Sequence, residues 1–263
     1  MNNENKLSNT FIVSRALLWL LRFSILIQVA VQSWMVTRYG SSINSYFFSE
    51  HHVLDETLMV WDKIGAIALL LCCFGLFHKK FIHLMWLVSM TFLLLAIFTM
   101  IDNGSRFAPV TPWAHSVRIM IPLCYWFVVK ENRWLQELGL QVFRWAVAIT
   151  FIVHGIECLL AHGDFIDYII GSGDKLLGLA ISEAQAVNAL KAIGVFDIVL
   201  SILLLCRRWK RVAFHMFIWG AVAALSRVTS GEFEYNWYKS LVRVANSTGP
   251  LVIYLWWGSN TKD

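Results

Sequence analysis

The sequence predicts an all-α fold, a polytopic membrane protein of about eight transmembrane helices laid out as two tandem, parallel four-helix repeats. Three observations carry this reading. Apolar windows of bilayer-crossing length recur along the chain, only 15% of the residues are charged where a soluble domain has about 25%, and landmarks of the first half return in order in the second.

A helix crosses a bilayer in about 20 residues at about 1.5 Å per residue. Windows of this kind fall at 11–36, 58–77, 81–101, 113–129, 137–160, 186–205, 212–228 and 241–257. The first holds Arg15 and Arg22 and no small-residue cleavage site, so it reads as a retained span rather than a signal peptide. Lys6, Arg15, Lys79, Lys80, Lys130, Arg133, Arg207, Arg208, Lys210, Arg211 and Lys262 fall on one side of the spans, and Glu50, Asp55, Glu56, Asp164, Asp167 and Asp174 mark the long loops of the other. Positive charge collects on the cytoplasmic side, so both termini are expected in the cytoplasm and the chain in the cell (inner) membrane, among membrane lipids. Trp113, Trp134, Trp209, Trp237, Trp256 and Trp257 stand near predicted span ends, as an interfacial belt requires.

The halves divide at 1–133 and 134–263. Arg22 and Gln32 in the first span align with Arg144 and His154 in the fifth, and each span leads into a long external loop, 37–56 or 161–183. Lys63-Ile64-Gly65 matches Ala192-Ile193-Gly194, and Val117-Arg118 with Pro122-Leu123 matches Val242-Arg243 with Pro250-Leu251. An even number of spans per unit gives both halves the same orientation, with a pseudo-twofold axis along the membrane normal. The loop 161–183 is too apolar for an aqueous linker and is expected at the interface as short amphipathic pieces around a break at Gly171-Ser172-Gly173.

The net charge of +5 is spread in short clusters between apolar spans, which argues against nucleic acid. The five cysteines all lie in or at the ends of apolar windows with no C-x-x-C, and read as buried free thiols. No metal site is expected, since the histidines show no HExxH-type spacing; His51-His52 offers at most adventitious zinc. Walker A, dinucleotide, nucleophile-elbow and haem-attachment motifs are missing from the sequence.

Chemistry is expected where hydrocarbon is interrupted by charge. The fifth window carries Arg144, His154 and Glu157, and such groups must face protein, water or one another. Depth places His154, Glu157, Arg118 and Arg243 in the outer half and Asp197 near mid-depth. His154 is a proton donor or acceptor, or else an interhelical hydrogen-bonding group. Glu157 either shares that role or is solvated by headgroup water. Asp197 must be paired with Arg243, protonated or water-lined. Arg118 and Arg243 suit an anionic or carbonyl-bearing ligand, or snorkel outward. Arg22 and Arg144 lie nearer the cytoplasmic end, where snorkelling or lipid headgroups account for them. The first repeat offers Gln32, Arg118 and an Asp62 close enough to its helix end to reach water, so the main site is expected in the second repeat.

Phe143-Arg144 through His154-Gly155, followed by Phe165, Lys191, Ile193-Gly194 and Asp197, resembles the DoxX and DoxD family of small membrane proteins. The resemblance covers chiefly the fifth and sixth spans, with Gln32-Ser33 in place of His154-Gly155 in the first copy. It implies a four-helix unit, here doubled, and through members associated with quinone-coupled thiosulfate oxidation it implies quinone as cofactor and a redox partner subunit. The expected function is a quinone-linked oxidoreductase component, with His154, Asp197 and Glu157 exchanging protons and Arg243, Arg118 and Arg144 holding the ligand. The alternative is a non-enzymatic binder or transporter of a small anion or lipid.

Overall fold

The computed structural model describes residues 13–231 and 233–259, so Lys6 and Lys262 lie outside the described residues. Among the described residues the chain is all-helical: α1 (Arg15–Tyr39), α2 (Ser42–His51), α3 (Asp55–Cys72), α4 (Leu84–Asp102), the single turn α5 (Thr111–Ala114), α6 (Ser116–Val128), α7 (Arg133–Leu159), α8 (Gly163–Leu177), α9 (Glu183–Cys206), α10 (Lys210–Thr229), α11 (Phe233–Leu241) and α12 (Val244–Ser259). Helix starts are written into the sequence. Ser14 caps α1, Asn132 caps α7, and Ser182 with Gln185 forms a capping box on α9.

Six segments, those built on α1, α3, α4, α7, α9 and α10, are long and apolar enough to cross a bilayer, consistent with a multi-pass membrane protein. Their outer sides carry large exposed apolar residues such as Ile64 and Leu71 on α3, Val199 and Ile202 on α9 and Leu225 on α10. That is the pattern expected of a lipid-facing surface.

The fourth and eighth expected spans come out shorter. α6 has 13 residues and α12 has 16, or about 20 and 24 Å of rise against about 30 Å of hydrocarbon. Each follows a break: at His115 after α5, and at Val242-Arg243 after α11. These two helices are nonetheless the most enclosed in the molecule, with Ile121, Cys124 and Tyr125 on α6 and Val252, Ile253 and Trp256 on α12 buried in one continuous core. α6 packs on α1, α4 and α7; α12 packs on α7, α10 and α1; and the two meet at the centre, where a β-carbon at Gly249 would stand 2.8 Å from Val117.

Around this centre α1 packs on α3 and α7 on α9, α2 on α4 and α8 on α10. Val117 N–H donates to Thr150 Oγ1 at 3.0 Å, and the Ser24 and Thr248 hydroxyls are hydrogen-bonded at 2.7 Å. The two halves are thus tied together by buried polar contacts as well as apolar packing. At one end Lys79 pairs with Glu131 at 2.7 Å. The ammonium holds the Glu131 carboxyl below the ordinary carboxylate range, and the carboxylate raises Lys79. At the other end Arg106 reaches the Leu160 carbonyl, and Trp34 packs against Trp237.

Three sequence expectations change here. The loop 161–183 forms one 15-residue helix, α8, that runs straight through Gly171-Ser172-Gly173. Those glycines mark close packing, since a β-carbon at Gly171 would sit 2.6 Å from the Ser230 carbonyl oxygen and one at Gly173 only 2.3 Å from Ile181. Trp256 and Trp257 are buried rather than interfacial, lying beneath the guanidinium groups of Arg208 and Arg144, whereas Trp113, Trp134 and Trp209 are exposed. All five cysteines are free, but Cys206 is exposed where α9 ends.

Candidate functional site

The site begins with a helix crossing. Gly155 on α7 and Gly194 on α9 let the two backbones approach so closely that a β-carbon on Gly155 would stand 2.8 Å from the Gly194 carbonyl oxygen. Small residues at such a crossing replace side-chain bulk with backbone contact. The crossing sets Asp197 against α7: its Cβ is the third neighbour of that same position, at 3.3 Å.

On this scaffold His154 Nδ1 lies 2.8 Å from Glu157 Oε2, one turn along α7. Glu157 thus engages Nδ1, leaving Nε2 as the ring's other hydrogen-bonding atom. His154 and Asp197 line a cavity of about 210 Å³ between α7, α8, α9 and α10, together with Tyr168, Trp219, Arg227 and Asn246. The remaining wall is mainly apolar, including Phe151, Phe165, Leu190 and Val222. Val222 is 48% exposed, so the cavity reaches the outer apolar surface of α10. Asp197 is 4% exposed and shares the cavity wall with Trp219, while its Oδ1 has no partner among the described residues. Arg227 Nε and Asn246 Oδ1 are likewise buried and unpartnered. Three such atoms around one apolar-walled space form a polar group of unmet hydrogen-bonding capacity, and each unmet bond costs about 1–3 kcal/mol if left so.

Arg227 is a candidate site residue not among those expected from the sequence. Its guanidinium lies 5.0 Å from the Tyr168 ring and donates back to the Ala223 carbonyl. It stands inside the seventh apolar window, where the rule that singled out Asp197 applies equally.

A second cavity, of about 240 Å³, lies between α1, α4 and the start of α6, lined by Gln32, Tyr39, Thr99, His115, Arg118 and Arg243. Arg118 donates to Gln32 Oε1 at 3.0 Å and rests on the Phe92 ring; Arg243 donates to the Lys239 carbonyl at 2.7 Å.

The expected network of His154, Asp197 and Arg243 is therefore divided. His154 and Asp197 share a cavity without bonding to one another, His154 pairs with Glu157, and Arg243 lines the other space. The reason is local: Arg243 sits in the turn between α11 and α12, whose chain direction carries it toward Arg118. Arg144 lies in neither cavity. It donates to the Leu204 and Leu205 carbonyls and to Gln141, closing the C-terminal end of α9 with a cation where the helix dipole favours one. Asp62 is buried at 7% exposure and accepts from Ser41 N–H at 2.8 Å, fixing the turn at Gly40, whose φ of +82° favours glycine.

Comparison with known proteins leaves the geometry to stand alone: no family model, no curated protein and no solved structure matches the chain.

Proposed function

We propose that this chain is a DoxX-like multi-pass protein of the cell membrane, both termini cytoplasmic, that holds the head of a quinone-like ligand in the cavity between α7 and α10. The observation carrying this reading is the chemistry of that cavity, an apolar slot reaching the outer surface at Val222 with the unpartnered polar atoms of Asp197, Arg227 and Asn246 around it. A flat ring with carbonyl oxygens and an apolar tail matches such a wall, and few convergent polar groups are what fix such a ligand.

In this reading Arg227 takes the part first expected of Arg243 and donates to a carbonyl oxygen. His154, oriented by Glu157, exchanges a proton through Nε2, with Asp197 across the same cavity. A cavity of about 210 Å³ fits a head group, leaving the tail against lipid. The chain carries no nucleotide or haem motif, so electrons belong to a redox partner subunit.

A tandem duplication of eight membrane helices is part of the proposal, with α6 and α12 as the central fourth helix of each unit. Its support is the packing, in which α1 with α3, α4 with α6 and α2 with α4 have counterparts in α7 with α9, α10 with α12 and α8 with α10. The linings run in parallel along the sequence: Gln32, Phe92, Ala96 and Thr99 line one cavity, and His154, Trp219, Ala223 and Ser226 line the other.

The test is extraction of the detergent-purified protein with organic solvent and chromatography for quinone, followed by calorimetric titration with a short-tailed benzoquinone. Wild type should bind it, and Ala223→Trp, which fills the slot, should not. Absence of any bound quinone together with no binding of the added one, or equal binding by Ala223→Trp, would sink the reading in favour of an anion or lipid binder.

A further inference from the structure

The second cavity is a different chemical environment from the first. Two guanidinium groups line it, and none of its lining residues is an aspartate or glutamate. Neither Arg118 nor Arg243 forms an ion pair among the described residues; their partners are the neutral Gln32 amide and the Lys239 carbonyl. Arg118 is 8% exposed, and its buried Nε has no hydrogen-bond partner. One face of its guanidinium lies over Phe92, which directs the donor edge away from the ring. Arg243 and Arg118 are close enough to repel each other, and Arg243 also feels Tyr168, Glu157 and Asp164, none of them in ion-pair contact with it. Arginine stays cationic in proteins, so the repulsion is not relieved by loss of a proton. Two enclosed like charges with no carboxylate in ion-pair contact are unfavourable, and an anion from outside would relieve them.

We propose that this cavity binds an oxyanion of the phosphate or sulfate class, clamped between Arg118 and Arg243 with His115 and Tyr39 beside it. Planar guanidinium donors match tetrahedral or planar oxyanions in two-point contact, which a spherical halide does not exploit. The size agrees: about 240 Å³ is roughly eight water volumes at about 30 Å³ each, enough for one such group with residual hydration. Tyr39, 57% exposed, and the exposed Gly40 form the mouth, so entry is from the end of α1 rather than from the bundle interior. The same chemistry is offered by free phosphate and by the phosphodiester of an anionic lipid whose head group reaches that mouth. The site is independent of the quinone proposal, since it uses none of that cavity's residues and its test contains no quinone.

The test measures thermal unfolding of the full chain with inorganic phosphate in neutral detergent, and separately in nanodiscs of phosphatidylcholine with or without phosphatidylglycerol. Saturable stabilisation by phosphate, with apparent affinity reduced at least tenfold in Arg118→Gln and Arg243→Gln and retained in Lys80→Gln at the opposite end, supports a free oxyanion. No response to phosphate but stabilisation by phosphatidylglycerol, lost in the same two variants, supports the lipid phosphate. Arg118→Lys keeps the charge without the planar fork and should show an intermediate affinity. If Arg118→Gln does not fold, Arg243→Gln and the wild-type titrations decide. Indifference of wild type to both anions, or equal responses in wild type and Arg243→Gln, overturns the proposal.

Discussion

Gly155 and Gly194 occupy each other's side-chain space: a β-carbon on either would lie within 2.8 Å of the other's carbonyl oxygen. Backbone cannot step aside as a flexible side chain can, so Gly155→Ala or Gly194→Ala should destabilise by about 1–3 kcal/mol despite alanine's better helix propensity. Gly65, with nothing within 4 Å of its would-be β-carbon, is the control, and Gly65→Ala should be neutral or stabilising by up to about 1 kcal/mol. Unfolding curves in detergent compare the three. A Gly155→Ala variant as stable as wild type would mean the helices are not in backbone contact.

Energetic coupling should follow the cavities. Asp197→Asn and Arg243→Gln line different spaces, so their effects on stability should add to within about 0.5 kcal/mol, while His154→Gln and Glu157→Gln, joined at 2.8 Å, should couple by about 0.5–3 kcal/mol. Double-mutant cycles on thermal unfolding measure both. Strong coupling of Asp197 with Arg243 would restore the single network that the sequence suggested.

Replacing Arg144 with glutamine removes donors to the last carbonyls of α9. A loss of about 1–3 kcal/mol is expected, with no change in ligand binding at either cavity. A stable Arg144→Gln protein that has lost quinone would contradict this structural assignment.

The exposed pair of Lys79 and Glu131 has a defined pH window. Glu131 is lowered on folding, so its contribution is present above the ordinary carboxylate range and lost as pH falls through its folded value; Lys79 is raised, so its contribution is present below the ordinary lysine range and lost at higher pH. With both side chains largely in solvent the effect is small. Any difference in unfolding temperature between wild type and Glu131→Gln should appear near neutral pH, shrink toward pH 3 and vanish in high salt. A difference that grows in acid would reverse the assignment.

Cysteine labelling reads the orientation. Cys206, exposed where α9 ends, should be shielded from an impermeant maleimide in intact cells and react after lysis, while Asp174→Cys on α8 should react from outside in a background lacking the other thiols. The opposite pattern would invert the topology.

Long helices were legible because their apolar windows are local, although the starts expected at 11, 137 and 186 fall at Arg15, Arg133 and Glu183, where Ser14, Asn132 and Ser182 cap them. α6 was legible in place but not in length, because the chain turns at His115, while α12 keeps nearly its expected length and starts later, after the turn at Val242-Arg243. The pairing of His154 with Glu157 follows from helical spacing of three residues, whereas the separation of Asp197 from Arg243 depends on which way a turn leads, and no residue pattern encodes that. Arg227 was hidden by its position near a window's edge, where an arginine ordinarily escapes to water.

Ser24 and Thr248 join the first and last long-range partners of the bundle, α1 and α12. During synthesis α1 emerges before every other helix described, yet α12, whose Thr248 hydroxyl meets Ser24, is made after every other helix described. The nascent chain must therefore carry a polar-bearing first helix through the insertion machinery with its final neighbour absent, and a product truncated before Val244 should keep that stripe uncovered. Such a product is expected to be cleared by membrane quality control far faster than the full chain, which pulse-chase comparison of the two would reveal; equal lifetimes would show that α1 finds shelter elsewhere.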